Sequence, residues 1–365
     1  MKFLFLESFY GGSHRDFADG LIAHSRYPID LVTLPARFWK WRMRGAALYF
    51  YQKIDSFEKY DGLITSDLMS LSDLKALCGG RLPPALLYFH ENQFSYPLAP
   101  GEQMDYQFGF TDITSALAAD QIVFNSSAHY QTFFAHLPRF INMMPDFRPN
   151  WVEDKIQKKS RILYPGCHFP SELSLSDRES NRPPLIIWNH RWEFDKRPEI
   201  FFHGLEFLAE KDIDFRVAIL GEHYQRIPEV FSKAKEKFGD RIVQYGYVDS
   251  RSDYYQWLSK GDIVISTADQ ENFGISIIEA IRHGCLPLVP SRLSYPEIIP
   301  DSFHHLFLYE DQKDFFEKLL SMVLHPKDFS VKRYALSESM GNFAWERQIV
   351  LFDELLQKLA GSWID

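Results

Sequence analysis

The chain has 365 residues, which is long enough for two domains that each bury their own core. Charged residues make up 24% of the chain and hydrophobic ones 45%, a composition typical of a soluble globular protein, and no apolar stretch approaches membrane-spanning length. The net charge of -9 argues against attraction of the whole surface to nucleic acid or anionic lipid, but it leaves room for a local basic patch.

The cysteines and the N-terminus indicate the compartment. Glu7 interrupts the first apolar run and no small-residue cleavage site follows, so this run is not expected to be a signal peptide. The cysteines are too few and too scattered for a disulfide framework or a zinc ribbon, so we expect reduced thiols in a cytoplasmic protein. They are Cys78, Cys167 and Cys285.

The sequence predicts no metal cofactor. The histidines, including the pair at 304–305, show no metal-ligand spacing. The DxD pair at 212–214 is of a type that can bind a metal and a nucleotide diphosphate, but it falls in a turn between a helix and a strand. That side of a doubly wound sheet lies away from the ligand sites, so we interpret the pair as a turn.

The first half of the chain alternates short apolar runs with segments of helical spacing. The apolar runs, each followed by turn residues, are "KFLFLESF", "IDLVTLP", "DGLITSD", "PALLYFHEN" and "ADQIVFNSSAH". Strands that alternate with helical segments such as "DFADGLIAHSR" indicate a parallel sheet with crossover helices.

The composition shifts to Pro, Ser and charged residues over 161–184, which is typical of a linker, and the alternation then restarts. Here the expected strands are "LIIWNHR", "FRVAILGE", "RIVQYGYV", "DIVISTA" and "CLPLVPS", and the expected helices are "PEIFFHGLEFLAEK", "PEVFSKAKEKFG" and "GISIIEAIRHG". We therefore predict an α/β protein with two Rossmann-like, doubly wound domains over 1–168 and 169–344. The amphipathic segment over 345–365 is expected to form a helix that packs back on the first domain.

The motif "FYGGSH", residues 9–14, follows the first expected strand. Its glycines, Gly11 and Gly12, would let backbone N–H groups approach an anion at a helix N-terminus. The motif is not GxGxxG, so a dinucleotide fingerprint is absent. Taken alone, the motif is better explained as a plain strand-to-helix turn.

The motif "NHRWEFDKRP", residues 189–198, follows the first strand of the second half. Arg191 and Lys196 precede a helix that Pro198 could open. Two fixed cations at the carboxyl end of a strand suit a diphosphate, because a guanidinium forks onto two oxygens and an ammonium adds a compact charge. A solvated charged loop is the commoner origin of such a pair.

The motif "DQENFGISIIEA", residues 269–280, is the most specific one. Glu271 precedes an expected helix, and Glu279 lies inside it, eight residues further on. The first N–H groups of that helix, from Phe273, Gly274 and Ile275, can hold phosphate. Glu279 could accept hydrogen bonds from a ribose diol, and Glu271 could bind sugar hydroxyls. Stabilisation of the helix dipole is the alternative for Glu271, but it does not explain a buried Glu279.

Two further stretches are candidates. His90 follows the apolar strand of "YFHENQFSYP" and could hydrogen-bond a sugar hydroxyl or polarise a reacting group, with a satisfied core histidine as the alternative. The stretch "RFWKWRMR" concentrates cations and rings, which suits contact with phosphates and bases. In the alternative, Trp39 and Trp41 are core residues of an alternating strand, and both readings of these two stay open. The cations of this stretch are Arg37, Lys40, Arg42 and Arg44.

Together these elements resemble the retaining glycosyltransferases of the GT-B fold, family 4, in which two Rossmann-like domains face a central cleft. The resemblance rests on "HRWEFDK", on the E-x7-E element, and on "GEHY" and "QYGYV" between them. It implies that the second domain holds a nucleotide sugar, with Arg191 and Lys196 on the diphosphate. One departure is His190, where the family usually has glycine, which allows a different position of this loop.

The same resemblance implies the rest of the donor site. Glu271 would bind the sugar ring, Glu279 would hold the ribose, and Tyr247 would border the base. Amide groups would reach phosphate or sugar from Phe273, Gly274 and Ile275.

The first half resembles the tRNA-queuosine mannosyltransferase group through "FYGGSH", "TLPARFWKWRMRGAALYF", "SDLMSLSDL", "YFHENQFSYP" and "TSALAADQIVFNSSAH". That resemblance implies GDP-mannose as donor and a hydroxyl of the cyclopentenediol of queuosine, at the tRNA wobble position, as acceptor. It places Gly11 and Gly12 with the donor, His90 at the transferred sugar, and Glu91 and Asn92 at the acceptor. It also favours RNA contact for the four cations of residues 37–44.

We therefore expect a metal-independent glycosyltransferase that retains the anomeric configuration and uses no cofactor besides its nucleotide sugar. Its expected partner is tRNA containing queuosine, with no membrane and no obligate protein partner. The alternatives are a family 4 enzyme that acts on a lipid or small glycoside, a sugar-nucleotide epimerase, and a non-catalytic tRNA-binding module. The set of two cations and two glutamates in the second half counts against the last of these.

Overall fold

The computed structural model describes residues 1–98, 101, 103–170, 183–222 and 227–361. The chain divides into an N-terminal unit, Met1–His168 with Phe343–Asp365, and a C-terminal unit, Phe169–Asn342. No helix in the described ranges combines the length and the apolar character needed to span a bilayer.

The N-terminal unit is built on six parallel strands in the order β2-β1-β3-β4-β5-β6. The strands are β1 Phe3–Tyr10, β2 Ile29–Pro35, β3 Gly62–Ser66, β4 Ala85–Phe89, β5 Gln121–Phe124 and β6 Ser160–Ile162. The helices are α1 Gly12–His24, α2 Trp39–Lys53, α3 Leu71–Cys78, α4 Tyr106–Ala118, α5 Ser127–Asn142 and α6 Val152–Gln157. The central strands read as continuous apolar runs because helices cover both faces of a parallel sheet.

The C-terminal unit has six parallel strands in the order β12-β11-β10-β7-β8-β9, which is the Rossmann order. The strands are β7 Leu185–Trp188, β8 Arg216–Ile219, β9 Ile242–Tyr245, β10 Ile263–Ile265, β11 Leu286–Pro290 and β12 Leu308–Tyr309. The helices are α7 Pro198–Glu210, α8 Glu229–Phe238, α9 Arg251–Lys260, α10 Ile275–Arg282, α11 Tyr295–Ile298, α12 His304–Phe307, α13 Gln312–Leu324, α14 Pro326–Ser330 and α15 Arg333–Met340. Short 3-10 turns lie at Gly79–Arg81, Phe194–Lys196, Gly239–Arg241, Asp301–Phe303 and Gly341–Phe343.

The predicted α/β class with two doubly wound halves is confirmed, and one boundary differs. The predicted linker over 161–184 begins too early, because Ser160–Ile162 forms β6 and pairs with β5. The polar residues of β6 gave no strand signal, because an edge strand is partly solvent-exposed and need not be apolar. Within this stretch, residues 171–182 lie outside the described part of the chain.

The last helix, α16 Trp345–Gly361, belongs to the N-terminal unit. Trp345 is fully buried in a core cluster shared with β1, β3, β4 and α1. The carboxylate of Asp353 accepts hydrogen bonds from the Ser25 hydroxyl at 2.6 Å and the Arg26 amide at 3.1 Å, just beyond α1. The amphipathic character of this segment therefore reflects one face packed on the first sheet's helical layer.

Both sheets bring the motifs to their carboxyl edges. In the first sheet the strand order reverses between β1 and β3, and in the second between β7 and β10. Loops diverge above and below a sheet at such a switch point, so a crevice forms at the carboxyl ends of the two strands. Glu7 and His90 lie at this edge of the first sheet, and Arg191 and Glu271 follow β7 and β10 of the second.

We expect Gly20→Ala to lower the free energy of unfolding by about 1–3 kcal/mol, because overpacking a filled core forces side chains to move. A Cβ at Gly20 would lie 2.1 Å from Trp345 Nε1, whereas one at Gly45, also inside a helix, meets nothing within 4 Å. Gly45→Ala should therefore raise the free energy of unfolding by about 0.5–1 kcal/mol. Urea titration of both variants checks the pair, and equal effects would contradict the packing described for α16.

Candidate functional site

Hydrogen bonds join the loops that follow β7 and β10. The Thr267 hydroxyl donates to the carbonyls of Lys196 and Arg197, both at 2.9 Å, and the Asp269 amide donates to the Asp195 carbonyl at 2.7 Å. Arg197 has φ 49°, and Pro198 opens α7 as predicted, since proline suits the first helical position. This turn directs Lys196 toward the loop after β10.

Lys196 and Glu271 form a partly buried ion pair. Lys196 Nζ lies 3.5 Å from Glu271 Oε2 and 3.3 Å from Asp195 Oδ2, and it also donates to the Gln270 carbonyl. Burial raises the pKa of Glu271, but the nearby charges of Lys196 and Arg191 outweigh burial and lower this pKa overall. The glutamate is therefore held ionised beside an ammonium that is 6% exposed.

Arg191 is the exposed cation of this cluster. Its guanidinium Nη2 lies 3.2 Å from Glu193 Oε2, and its side chain is 44% exposed. Its charge, like that of Lys196, contributes to the lowered pKa of Glu271. A guanidinium that reaches solvent here can meet an arriving anion.

His190, the departure from the usual glycine, points into the protein. It is buried, and burial together with the Lys196 charge lowers its pKa to about 4, so the ring is neutral. Gly221, at the end of β8, packs so closely that a Cβ there would lie 1.7 Å from the His190 carbonyl oxygen. The histidine is accommodated with Lys196 still beside Glu271.

The N-terminus of α10 lies beside the same carboxylate. Gly274 has φ 96°, and a Cβ built on it would be 3.6 Å from Glu271 Cγ and 3.1 Å from the Ile298 side chain. Only glycine adopts this conformation without strain, so the residue is fixed by geometry. The amides of Phe273, Gly274 and Ile275 thus begin a helix next to Lys196, which is a favourable place for phosphate.

Glu279 is buried one turn into α10 and is held by tyrosines that sequence reasoning missed. The Tyr255 hydroxyl donates to Glu279 Oε1 at 3.3 Å, and the neighbouring Tyr254 hydroxyl accepts from Asn189 Nδ2 at 3.1 Å. Asn189 Nδ2 also donates to the Ser276 carbonyl at 2.7 Å. The paired tyrosines in α9 gave no spacing signal, because their role depends on α9 packing against α10.

Tyr247 follows β9 and is 58% exposed, so nothing in its packing opposes the predicted contact with a base. The predicted motif "GEHY" is only partly described, because residues 223–226 lie outside the described ranges. The role of Tyr247 stays a prediction.

In the N-terminal unit, Gly11 and Gly12 join β1 to α1 as predicted. A Cβ at Gly11 would lie 2.4 Å from Ala36 Cβ, and Gly12 has φ 51°. The close approach at Gly11 and the positive φ at Gly12 explain why glycine occupies both positions. Their contact with the donor stays a prediction.

Next to them lies a buried pair, Glu7 and His14, that the sequence analysis did not name as candidates. His14 Nδ1 is 3.3 Å from Glu7 Oε1, and the His14 ring stacks on the His90 ring at 3.9 Å. Burial lowers the pKa of His14, but the charge of Glu7 outweighs it and raises this pKa to about 9. Burial and the His14 charge hold the pKa of His90 well below its usual value, so a protonated ring faces a neutral one.

Among the described residues, Glu7, His14 and His90 are the group whose donor atoms lie close enough for a metal, within 4.8 Å of one another. This clustering was missed because the three residues come from β1, α1 and the end of β4. The charge of Glu7, which raises the pKa of His14, favours a protonated ring beside this carboxylate. A protonated imidazole cannot ligate a metal, so the residues fit an ion pair better.

Glu91 and Asn92 follow His90 and differ in accessibility. Glu91 is partly exposed, and its Oε1 accepts from Gln93 Nε2 at 3.1 Å. Asn92 is 1% exposed, and its amide contacts His129 Nε2 at 3.1 Å and the Ser95 amide at 3.0 Å. Its predicted contact with the acceptor is not favoured by this geometry, because its polar atoms hold the loop.

The stretch "RFWKWRMR" is the start of a helix, so the alternating strand considered for it is wrong. Phe38 caps α2 with φ 56°, and Trp41 is 76% exposed, which excludes Trp41 from the core. Trp39 is half-buried against the Phe108 ring, with centroids 5.0 Å apart. Trp41 is exposed because it lies on the face of α2 opposite to Met43, which is buried in the core.

The four cations of this stretch are not equivalent. Arg42 donates to the Pro35 carbonyl at 3.3 Å, and Arg44 donates to Thr111 Oγ1 at 3.1 Å, so both are partly engaged within the unit. Arg37 and Lys40 lie over the Phe38 and Trp39 rings, respectively. These two exposed cations are the better placed to meet an external phosphate.

We expect Glu7→Gln to destabilise the protein more at pH 6.5 than at pH 9.5. A folded-state pKa of about 9 for His14 means that its pairing stabilises fully below about pH 6.5 and is lost as pH rises through about 9. The difference should reach at most about 3 kcal/mol, since a tenfold change in proton affinity corresponds to ~1.4 kcal/mol. Urea midpoints at both pH values test this, with Glu206→Gln of the surface Lys237 pair as the pH-insensitive control.

Two family models match the chain. Residues 2–167 match the one described as tRNA-queuosine alpha-mannosyltransferase N-terminal, and residues 183–325 match the one described as Glycosyl transferases group 1. The chain is 37% identical over 354 residues to a tRNA-queuosine alpha-mannosyltransferase of Drosophila melanogaster, covering 94% of this chain and 92% of that protein. It is also 21% identical over 233 residues to a glycogen synthase of Actinobacillus pleuropneumoniae serotype 5b (strain L20), covering 60% of this chain and 45% of that protein.

Solved structures show the same fold. Sucrose-phosphate synthase from Thermosynechococcus elongatus matches with a TM-score of 0.77 and 14% identity, over 99% of this chain and all 100% of that chain. A glycosyltransferase from Rickettsia africae matches with a TM-score of 0.67 and 14% identity, over 98% of each chain. The predicted glycosyltransferase fold of the GT-B type is confirmed, and so is the family inferred from the motifs. The chain belongs to the tRNA-queuosine alpha-mannosyltransferase family.

Proposed function

We propose that this protein transfers mannose from GDP-mannose, with retention, to a hydroxyl of the queuosine cyclopentenediol at the wobble position of a tRNA. The observation that carries the proposal is the 37% identity, over 94% of the chain, to a protein named for this activity. The arrangement of Lys196, Glu271 and the α10 N-terminus supports it, because these groups suit a sugar diphosphate. A cytoplasmic location is part of the proposal, and the three buried free thiols support it.

The C-terminal unit binds the donor. Arg191 and Lys196 contact the diphosphate together with the amides of 273–275, and Glu271 accepts hydrogen bonds from the sugar ring. Glu279, fixed by Tyr255, accepts from the ribose diol, and Tyr247 borders the base. The pairing of Glu271 with Lys196 keeps the glutamate ionised, so it acts as an acceptor of hydrogen bonds.

The chemical step breaks the bond between the anomeric carbon and the leaving diphosphate oxygen and forms a bond from that carbon to the acceptor hydroxyl oxygen on the same face. The hydroxyl proton passes to the departing diphosphate, so no carboxylate forms a covalent intermediate. Lys196, Arg191 and the helix N-terminus stabilise the negative charge that develops on the leaving group. Preorganised charge of this kind is often the largest contribution to catalysis.

The reaction is proposed to need no metal ion, since the two cations and the helix N-terminus supply positive charge where the diphosphate develops its charge. His90, kept neutral beside protonated His14, offers a hydrogen bond to the transferred sugar. Glu91 and the exposed part of α2 contact the acceptor.

Transfer that persists in excess EDTA is the expected result.

The test of the function is mass spectrometry of nucleosides from queuosine-containing tRNA, incubated with the protein and a panel of nucleotide sugars. A hexose on queuosine, obtained with GDP-mannose above the other donors, is the expected result. Product formed on a lipid or small glycoside without RNA would show that this molecule, and not tRNA, is the acceptor. Binding of tRNA with no turnover of any nucleotide sugar would instead indicate a non-catalytic RNA-binding module.

We expect Lys196→Met to lower kcat about 10²–10³-fold, because it removes charge that stabilises the leaving group. Glu279→Gln should raise the KM for the donor about 10-fold, the cost of weakening a hydrogen bond to a charged group. Lys233→Met, at an exposed surface pair, is the control and should leave both constants unchanged. Wild-type kinetics in the Lys196 and Glu279 variants, with unchanged thermal midpoints, would refute the donor site.

We expect Trp41→Ala and Lys40→Ala each to raise the KM for tRNA about 5–30-fold with little change in kcat, through lost stacking and lost phosphate contact. The Lys40 effect should shrink as salt rises, whereas the Trp41 effect should persist. Val350→Ala, an exposed apolar residue on α16, is the matched control. An unchanged KM for tRNA in both variants would show that α2 does not contact the acceptor.

A further inference from the structure

A second exposed aromatic segment lies in the N-terminal unit, between α5 and α6. Residues 143–151, "MMPDFRPNW", include Phe147, whose side chain is 91% exposed, and Trp151, at 57%. No motif of the sequence analysis included them, and the proposed chemistry does not use them. A phenylalanine that buries almost nothing beside a tryptophan that is more than half exposed indicates a surface that another molecule covers.

The backbone of this segment resembles that of the α2 start. Five non-glycine residues in the described part of the chain have positive φ, and two of them are exposed phenylalanines: Phe38 at 56° and Phe147 at 47°. Each has an arginine next to it, Arg37 or Arg148. A bulky residue in the left-handed region is strained, and such strain without internal packing is found at binding sites.

Elements next to both segments pack against the same helix, α4. On one side, Trp39 contacts Phe108 of α4, and Arg44 donates to Thr111. On the other, the Phe140 ring at the end of α5 lies against Phe110 of α4, with centroids 5.1 Å apart. Both segments thus adjoin elements that contact α4, and one helix is about 10–12 Å across. Exposed Tyr106 begins α4 itself.

The charge around the segment suits a polyanion. Between 139 and 161 the chain has six lysines and arginines against three acidic residues, whereas the whole chain has a net charge of -9. Lys155 lies over the Trp151 ring at 5.9 Å, so one cation and one ring are presented together. Rings with adjacent cations match stacked bases joined by phosphates.

We propose that residues 143–151 form a second RNA-binding surface, where Phe147 and Trp151 stack on unpaired bases and Arg148 and Lys155 meet phosphates of the same tRNA that α2 contacts. The proposal rests on the proposed function, because the RNA is the acceptor of that reaction. The segment would bind nucleotides outside the modified one, which adds affinity for the whole tRNA over a free nucleoside.

Phe147→Gly gives a sharp test, because the two expected effects have opposite signs. Glycine relieves the left-handed strain and no packing is lost, so the urea midpoint should rise. The KM for queuosine-containing tRNA should rise about 5–30-fold, while kcat/KM for free queuosine nucleoside stays unchanged. Trp151→Ala should raise the KM for tRNA similarly, and Tyr334→Ala, an exposed tyrosine on α15, is the control.

Gel-shift binding of tRNA by the wild type and Phe147→Gly separates this proposal from the proposed function. Weaker binding by the variant supports the surface whether or not sugar transfer is observed. Equal binding and equal KM for tRNA would overturn the surface, even if wild-type transfer is confirmed. Light scattering that shows a dimer lost on Phe147→Gly, with tRNA binding intact, would also overturn it and assign the segment to self-association.

Discussion

The ion pair between Lys196 and Glu271 is the interaction on which the C-terminal unit's site depends. An ammonium that is largely removed from water needs a partner, and two carboxylates, from Asp195 and Glu271, supply it at 3.3 and 3.5 Å. Because these residues come from the ends of β7 and β10, the pair fixes both loops at the switch point of the sheet. The N-terminus of α10, which begins next to Glu271, is thereby held near the Lys196 ammonium.

The N-terminal unit solves a similar problem with different residues. Glu7 is fully buried in β1, and the protonated His14 ring provides its counter-charge from α1. Stacking of His14 on His90 then orients a neutral ring after β4. In both units, charge at the carboxyl edge of a parallel sheet is tolerated because a neighbouring loop or helix supplies the opposite sign.

The surface of the N-terminal unit departs from the acidic character of the chain in two places. At Phe38 and Phe147 the backbone adopts a conformation that disfavours bulky residues, and in each case the ring is directed to solvent. Folding alone would favour glycine or asparagine there. A phenylalanine beside an arginine at both positions fits the proposed contact with RNA, which has both bases and phosphates.

The sequence by itself determined the alternation of strands and helices, the helix that opens at Pro198, and the pairing of Glu271 with the first turn of α10. These follow from local signals, namely apolar runs, proline and glycine positions, and spacing along one helix. It also determined the family, because its N-terminal motifs are characteristic.

Only the tertiary structure decided the rest. In the structure, β6 lies at the start of the predicted linker. Trp41 is exposed to solvent, Trp39 contacts Phe108, and Asn92 is buried where its polar atoms bond within the loop. The tertiary structure also joined Glu7 to His14 and Glu279 to Tyr255, pairs that lie on separate elements. Contacts of this kind depend on which strands become neighbours and which helix face turns inward, and spacing along one chain does not encode them.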